Sequence, residues 1–264
     1  MKIIVAARAG FCFGVKRAIK MVFQTAKDRD GPIHTLGPLI HNPQVVSSLE
    51  KEGINEIQSV DQSTAGDIVI IRTHGVTPEV MDQARQRGVQ IIDATCPFVT
   101  RAQKMSRSLW QNGFQVIIVG EKTHPEVQGL VGWAGNEAIV VSNPSEAKQL
   151  PFHSRIGVMA QTTQARKNFQ EVIEVLKGKC SQIQVCDTIC HATTQRQDSA
   201  IELAGSVDVM IVVGGYNSAN TRKLVMLCKN TGTPTYHVET ANQLERQWFQ
   251  GVKVAGLTAG ASTP

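Results

Sequence analysis

Val89-Gln90-Ile91-Ile92-Asp93-Ala94-Thr95-Cys96-Pro97-Phe98-Val99-Thr100-Arg101 is a short apolar run that ends in a sharp turn and reopens as a helical pattern. Val89, Ile91 and Ile92 predict a short buried strand. Pro97 suits the first turn of a helix, where a missing N–H costs nothing. Cys96 therefore stands at the carboxyl end of a strand and beside a helix N-terminus. The helix dipole there is expected to favour the thiolate, the form that binds metal.

The same arrangement occurs twice more. Ile3 to Ala7 reads as a strand, followed by the turn Arg8-Ala9-Gly10-Phe11-Cys12-Phe13-Gly14 and the helical pattern VKRAIKMVFQTAKD. Ile183-Gln184-Val185 leads through Cys186-Asp187-Thr188-Ile189-Cys190 into HATTQRQDSAIELA. Arg17, Arg101 and Arg196 follow the three cysteines by five or six residues. Cys12, Cys96 and Cys190 lie 84 and 94 residues apart, about one small α/β unit each. Three thiols on equivalent strand-to-helix loops could converge on a pseudo-threefold axis.

Around these loops the composition is that of a globular chain. The 264 residues are 42% hydrophobic and 19% charged, enough to bury a substantial core. The strand that begins at the N-terminus leaves no room for a leader, and no apolar run approaches membrane-spanning length, so a cytoplasmic protein is expected. Six cysteines in such a setting read as ligands or buried thiols rather than disulfides. A net charge of +5 suits a phosphorylated ligand or an acidic partner. Without basic blocks or interleaved aromatics it does not indicate nucleic-acid binding.

Apolar runs alternate with helical patterns along the chain, which predicts parallel sheets built from βαβ units. The polar residues collect at the carboxyl ends of those strands, where open α/β sheets bind ligands. His41, His74 and His124 each lie in a loop just beyond a strand, with Pro or Gly close by. Such loops bring imidazoles and backbone N–H groups together, a way to hold a diphosphate without a P-loop. A loop histidine alone is usually only solvated. Glu126, two residues after His124, would have a raised pKa beside an anionic ligand and away from water, and could donate a proton near neutrality. It could equally be a glutamate favoured by a helix N-terminus. Thr162, Asn217, Ser218, Asn220 and Ser262 are small hydrogen-bonding residues in other exit loops, a pattern that turn chemistry also produces.

The cysteines leave two metal readings open. With an added histidine the three could hold structural zinc; alone they could hold an iron–sulfur cubane with one iron lacking a protein ligand. Cys180, Cys186 and Cys228 lack the shared context; Cys228 reads as packing, and Cys186 with Cys190 offers a lesser reading as a local ligand pair. No dinucleotide or nucleoside-triphosphate fingerprint follows any strand, so a redox enzyme of this kind would draw its electrons from another protein.

The stretches AGFCFGVKRAI, GPLIHNPQVV, RTHGV, DATCPFV, GEKTHPEVQGL, AQTT, DTICHATTQRQ, NSANTRKL and TAGAS closely resemble the 4-hydroxy-3-methylbut-2-enyl diphosphate reductase family. The resemblance runs from about Cys12 to the end and covers every loop singled out above. It implies a trefoil of three α/β domains with mainly parallel sheets around a central cluster site. The domains would be 14–96, 97–190, and 191–264 together with 1–13. It further implies one 4Fe–4S cluster on Cys12, Cys96 and Cys190 with one open iron, and an external electron donor of ferredoxin or flavodoxin type. Glu126 would be the proton donor. His41, His74, His124, Thr162, Ser218, Ala219, Asn220 and Ser262 would contact an allylic diphosphate. The implied reaction is reductive loss of an allylic hydroxyl, the last step of the non-mevalonate isoprenoid pathway, with no nucleic-acid or membrane partner.

Two departures are visible. The family usually has a second serine where this chain has Ala219, and it usually continues past TAGAS into a helical tail, whereas this sequence ends at Pro264. Two other functions fit part of the pattern. A hydro-lyase could use the same open iron without a reductant, and a zinc-stabilised binding module would leave Glu126 and the three histidines without a task.

Overall fold

A computed structural model describes residues 1–28 and 31–264. The chain begins β1 (Lys2–Val5), α1 (Phe13–Asp28), β2 (Ile33–Leu36), α2 (Pro43–Lys51), β3 (Ile54–Ile57), β4 (Ile68–Ile71), α3 (Pro78–Gln86) and β5 (Gln90–Asp93). It continues α4 (Pro97–Gln111), β6 (Gln115–Val119), α5 (Pro125–Trp133), β7 (Ile139–Val141), α6 (Pro144–Lys148), β8 (His153–Ala160), α7 (Arg166–Lys177) and β9 (Cys180–Cys186). It closes with α8 (His191–Ala204), β10 (Val209–Val213), α9 (Ala219–Lys229), β11 (Thr235–Val238) and β12 (Val254–Ala259).

These strands form three four-stranded sheets in the orders β3-β2-β4-β5, β7-β6-β8-β9 and β11-β10-β12-β1, and every pairing is parallel. Counted in chain order, with β1 as the last strand of the third sheet, all three share one topology. The first and third strands lie side by side in the middle, and the second and fourth lie at the edges. The protein is therefore α/β, with one wound sheet built three times.

The residues explain the order. Central strands such as β4 and β6 are runs of Ile and Val buried on both faces, as parallel sheets covered by helices require. In the first sheet Ile70 packs toward α1 and α2, while Val69 and Ile71 pack toward α3. Ile117 and Val119 alternate with Val116 and Ile118 in the same way in the second. The third sheet packs Met210 and Val212 against Ala200 and Leu224, and on its edge strand Ile3 and Val5 remain exposed. A proline opens each of α2, α3, α4, α5 and α6, and Asn42, Thr77 and Asn143 cap three of them.

One strand expectation is corrected. The strand before Cys96 is not fully buried: β5 lies at a sheet edge, and Ile91 and Ile92 are only half-buried. β3, Ile54-Asn55-Glu56-Ile57, is short and half polar, so no apolar run marks it in the sequence. Cys180, Cys186 and Cys228 sit in packing positions, Cys186 and Cys228 inside the apolar clusters.

Candidate active site

The exit loops of the three sheets line one cavity. It gathers Cys12, Cys96, Cys190, His41, His74, His124, Glu126, Thr162, Ser218, Ala219, Asn220 and Ser262, which are all of the predicted site residues. Their places in the fold repeat. Each cysteine follows the fourth, edge strand of a sheet. His41, His124 and the Ser218–Asn220 segment follow first strands, and His74, Thr162 and Ser262 follow third strands. First and third strands are adjacent, with their connections leaving in opposite directions. The polar residues thus occupy the switch point of each sheet, where wound α/β folds bind ligands.

The thiol ring is tied to the polar ring by three equivalent bonds. The Cys96 N–H donates to Thr73 O (3.0 Å), Cys190 to Thr162 O (2.9 Å) and Cys12 to Ala261 O (3.1 Å). In register, Ile71 pairs with Asp93, which sets the RTHGV and DATCP loops side by side. The arginines behind the cysteines complete the ring. Arg17 Nη1 donates to Thr95 O (3.2 Å) in the Cys96 loop, and Arg196 Nη2 donates to Gly10 O (2.6 Å) in the Cys12 loop. The Arg101 charge acts on Cys186, four residues before Cys190. Arg17 and Arg196 each turn to the cysteine loop of the next sheet, a role sequence spacing hinted at but did not assign, whereas Arg101 is exposed. Arg196 also lines the cavity, buried, with its Nε lacking a partner.

The sulfur atoms crowd one spot. A Cβ on Gly14 would lie 2.6 Å from Cys96 Sγ and 4.0 Å from Cys12 Sγ, and all six cysteines are free thiols. Three converging thiols in a cradle that only glycine leaves open fit a cysteine-bound metal cluster. The expectation of a ready thiolate needs correcting, however. Burial pushes the Cys96 thiol up to about 11, and the Phe98 and Val99 N–H groups at the helix start lower it without forming a closed cap. Cys190 is raised in the same way. Desolvation outweighs the helix terminus at both thiols. His191, the one histidine beside a site cysteine, is exposed and does not line the cavity.

The three imidazoles form their own cluster. His41 and His74 centroids are 4.4 Å apart, and His124 stands edge-on to them at 5.4 and 5.2 Å. Their nitrogens lie close enough to hold a metal ion. His124 argues against that use: its Nδ1 accepts the Glu126 N–H (3.1 Å), so its Nε2 carries the proton and donates. Burial, with further repulsion from the Arg72 and Arg222 charges, lowers His41 to about 4 and His124 to about 3. His74 falls well below the ordinary value, again mainly through burial. All three are neutral at pH 7. Both His41 nitrogens, His74 Nδ1 and both polar atoms of Asn220 are buried without a partner. Unsatisfied buried polar groups are rare in a folded protein, and this many around one cavity mark a place for a polar ligand.

Glu126 stands between the two rings at 2% exposure. Thr162 N donates to its Oε1 (2.6 Å) and Thr162 Oγ1 to its Oε2 (2.8 Å). Burial raises its carboxyl to about 7 against the opposing pull of those two bonds. It is a held, half-protonated acid near neutral pH. The third sheet closes the polar ring onto the first. Asn42 Nδ2 donates to Ser262 O (2.8 Å), Ser262 Oγ donates to His41 O (3.1 Å), and Gly215 approaches so closely that a Cβ there would lie 2.8 Å from His41 O.

The family model described as LytB protein matches residues 3–264. The chain belongs to this family. A 4-hydroxy-3-methylbut-2-enyl diphosphate reductase of Geotalea uraniireducens is 49% identical over 264 residues, covering 100% of this chain and 93% of the relative. One of the same name from Pelobacter propionicus is 48% identical, covering 100% and 94%. Among solved structures, an (E)-4-hydroxy-3-methyl-but-2-enyl diphosphate reductase, the terminal enzyme of the non-mevalonate pathway, is 45% identical with a TM-score of 0.73, covering 100% of this chain and 94% of its own. The Plasmodium falciparum reductase is 31% identical with a TM-score of 0.95, covering 100% and 84%. No helix among the described residues is long and apolar enough to cross a membrane.

Proposed function

We propose that this cavity binds 4-hydroxy-3-methylbut-2-enyl diphosphate and removes its allylic hydroxyl reductively, giving isopentenyl and dimethylallyl diphosphates. Two electrons and two protons enter and water leaves. A 4Fe–4S cluster on Cys12, Cys96 and Cys190, one per chain with one iron free of protein ligands, supplies the electrons and a Lewis-acid position when bound. The electrons come from an external ferredoxin- or flavodoxin-type protein, and the setting is cytoplasmic. Each sheet with its helices is one of three units divided at the cysteines, which puts the reaction where all three meet.

The chain's own residues divide the remaining work. The His124 Nε2–H, the His41 and His74 imidazoles, the Asn220 amide and the Ser218 hydroxyl hold the diphosphate, with Ala219 adding its N–H at the start of α9. Ser262 completes the pocket from the third sheet. The ligand's negative charge raises the proton affinity of the neutral imidazoles, so binding is coupled to proton uptake. Glu126 gives a proton to the departing hydroxyl, and Thr162 keeps the carboxyl aimed.

The single observation that carries this reading is the buried Glu126 carboxyl, raised to about 7 and gripped twice by Thr162 between the thiols and the imidazoles. The test is Glu126→Gln in protein prepared without oxygen. Turnover should fall by about 10²–10⁴-fold, the usual worth of a general acid, while substrate affinity stays within a few-fold. Turnover equal to that of the unaltered protein would remove Glu126 from the chemistry.

A further inference from the structure

The three cysteine-bearing helices are alike in backbone and unlike in charge. α1 carries Lys16, Arg17 and Lys20 near its start and no acid before Asp28. α4 carries Arg101, Lys104 and Arg107 and no acid at all. α8 differs: it holds Asp198 and Glu202, and its one arginine, Arg196, is buried. The surface beside Cys12 and Cys96 is therefore positive, and the surface beside Cys190 is not.

That positive surface is continuous. Arg17 borders two neighbouring depressions, one also lined by Phe13, Lys16 and Lys20 and the other by Asp93, Arg101 and Lys104. Lys16, Lys20, Arg101 and Lys104 are exposed, and none has an ion-pair partner among the described residues. Phe13, bonded directly to Cys12, is 64% exposed, and Phe98, two residues after Cys96, is 37% exposed. An exposed aromatic ringed by free cations has the anatomy of a transient protein interface, with an apolar anchor and a charged rim that steers the encounter.

We propose that this face docks a small acidic one-electron carrier protein, with Phe13 as the anchor and Lys16, Lys20, Arg101 and Lys104 as the rim. The proposal rests on the reductase reading, which needs two electrons per turnover in a chain without a dinucleotide fingerprint. Each carrier gives up one electron per encounter, so two encounters serve one turnover. Charge complementarity selects the partner, and the placement beside Cys12 and Cys96 sets where its electron enters.

The test uses cluster-loaded protein, an acidic [2Fe–2S] ferredoxin and, as a small reductant needing no docking surface, reduced methyl viologen. In Lys20→Glu/Lys104→Glu the KM for reduced ferredoxin and the Kd for oxidised ferredoxin should each rise at least about tenfold at low salt, the scale of rim-charge steering. The difference should shrink at about 0.5 M salt, where the screening length is only a few ångströms. Turnover with viologen should stay within about twofold, since the rim does not touch the cavity. Phe13→Ala should weaken ferredoxin binding at both salts. Unchanged ferredoxin KM and Kd overturn the surface, as does an equal loss with both reductants. An unaltered protein inert to viologen would instead sink the reductase reading, and the Kd series alone would then decide the surface.

Discussion

The two rings of the cavity occupy equally repeated positions, yet only one of them repeats its chemistry. The thiol ring places cysteine after the fourth strand of every sheet, with the same N–H anchor each time. The polar ring places histidine, histidine and a Ser-Ala-Asn segment after first strands, and histidine, threonine and serine after third strands. The fold supplies threefold positions, and the ligands decide what fills them. On the proposed function, a cluster asks for like donors, whereas a linear allylic diphosphate has a head and a tail and asks for unlike ones.

The largest effects should fall on the symmetric ring and be equal there. Cys12→Ser, Cys96→Ser and Cys190→Ser should each lose the cluster and all turnover, while Cys228→Ser, altered in the packing between α8 and α9, should keep its iron. Iron and sulfide content after anaerobic purification reads this directly. One ring variant with full iron content would break the equivalence. The polar ring should respond unequally. His41→Asn removes a buried imidazole with no protein partner and should raise KM about 10–100-fold, as loss of a hydrogen bond to a charged group implies. Ser262→Ala should cost less, because its hydroxyl already serves His41 O. Equal penalties would mean that the ring acts as a field rather than as distinct contacts.

Much of this was legible in the chain. The thrice-repeated strand–turn–Cys–helix pattern and the loop histidines pointed to six of the cavity residues, because strand-exit loops in a parallel sheet share one end; Ala219 was named only through the family resemblance, and Asn217, singled out with its neighbours, does not line the cavity. Strand order was not legible. Nothing local in Gln90-Ile91-Ile92-Asp93 marks an edge strand, since that depends on which neighbour is absent after packing. The thiolate expectation is outweighed for a related reason. Pro97 announces the helix start, but the depth at which Cys96 is buried is a tertiary property, and desolvation there dominates. The arginine clasp fell between the two: the spacing was visible, and the target lay on another sheet.

A milder contrast lies in acid stability, with opposite signs for the imidazoles and the carboxyl. His41 titrates at about 4 in the fold against 6.5 ordinarily, so the unfolded chain holds the extra proton between those values. Its contribution is present above about pH 6.5 and lost as pH falls toward 4. Glu126 is raised from 4.5 to about 7, so its contribution is present below pH 4.5 and lost as pH rises toward 7. In metal-free protein, His41→Asn should therefore flatten the fall in melting temperature between pH 7 and pH 4.5, and Glu126→Gln should steepen it. Each change should amount to a few °C for a chain of this size. Parallel shifts in the two variants would mean that these groups do not titrate as their burial requires.

The smallest predicted effect tests whether the asymmetric ring is tuned to its ligand. Ala219 opens α9 between Ser218, whose Oγ accepts the Thr221 N–H, and Asn220, whose amide has no partner. It lines the cavity at 6% exposure, so a hydroxyl added there would face the ligand rather than solvent. Ala219→Ser supplies one more donor at the diphosphate end without disturbing a cap or a core contact. A neutral hydrogen bond is worth about 0.5–1.5 kcal/mol net, which predicts a KM lowered about 2–10-fold with kcat unchanged. A raised KM would show the wall already packed to its ligand there, and the missing hydroxyl would then be a fitted feature of this chain.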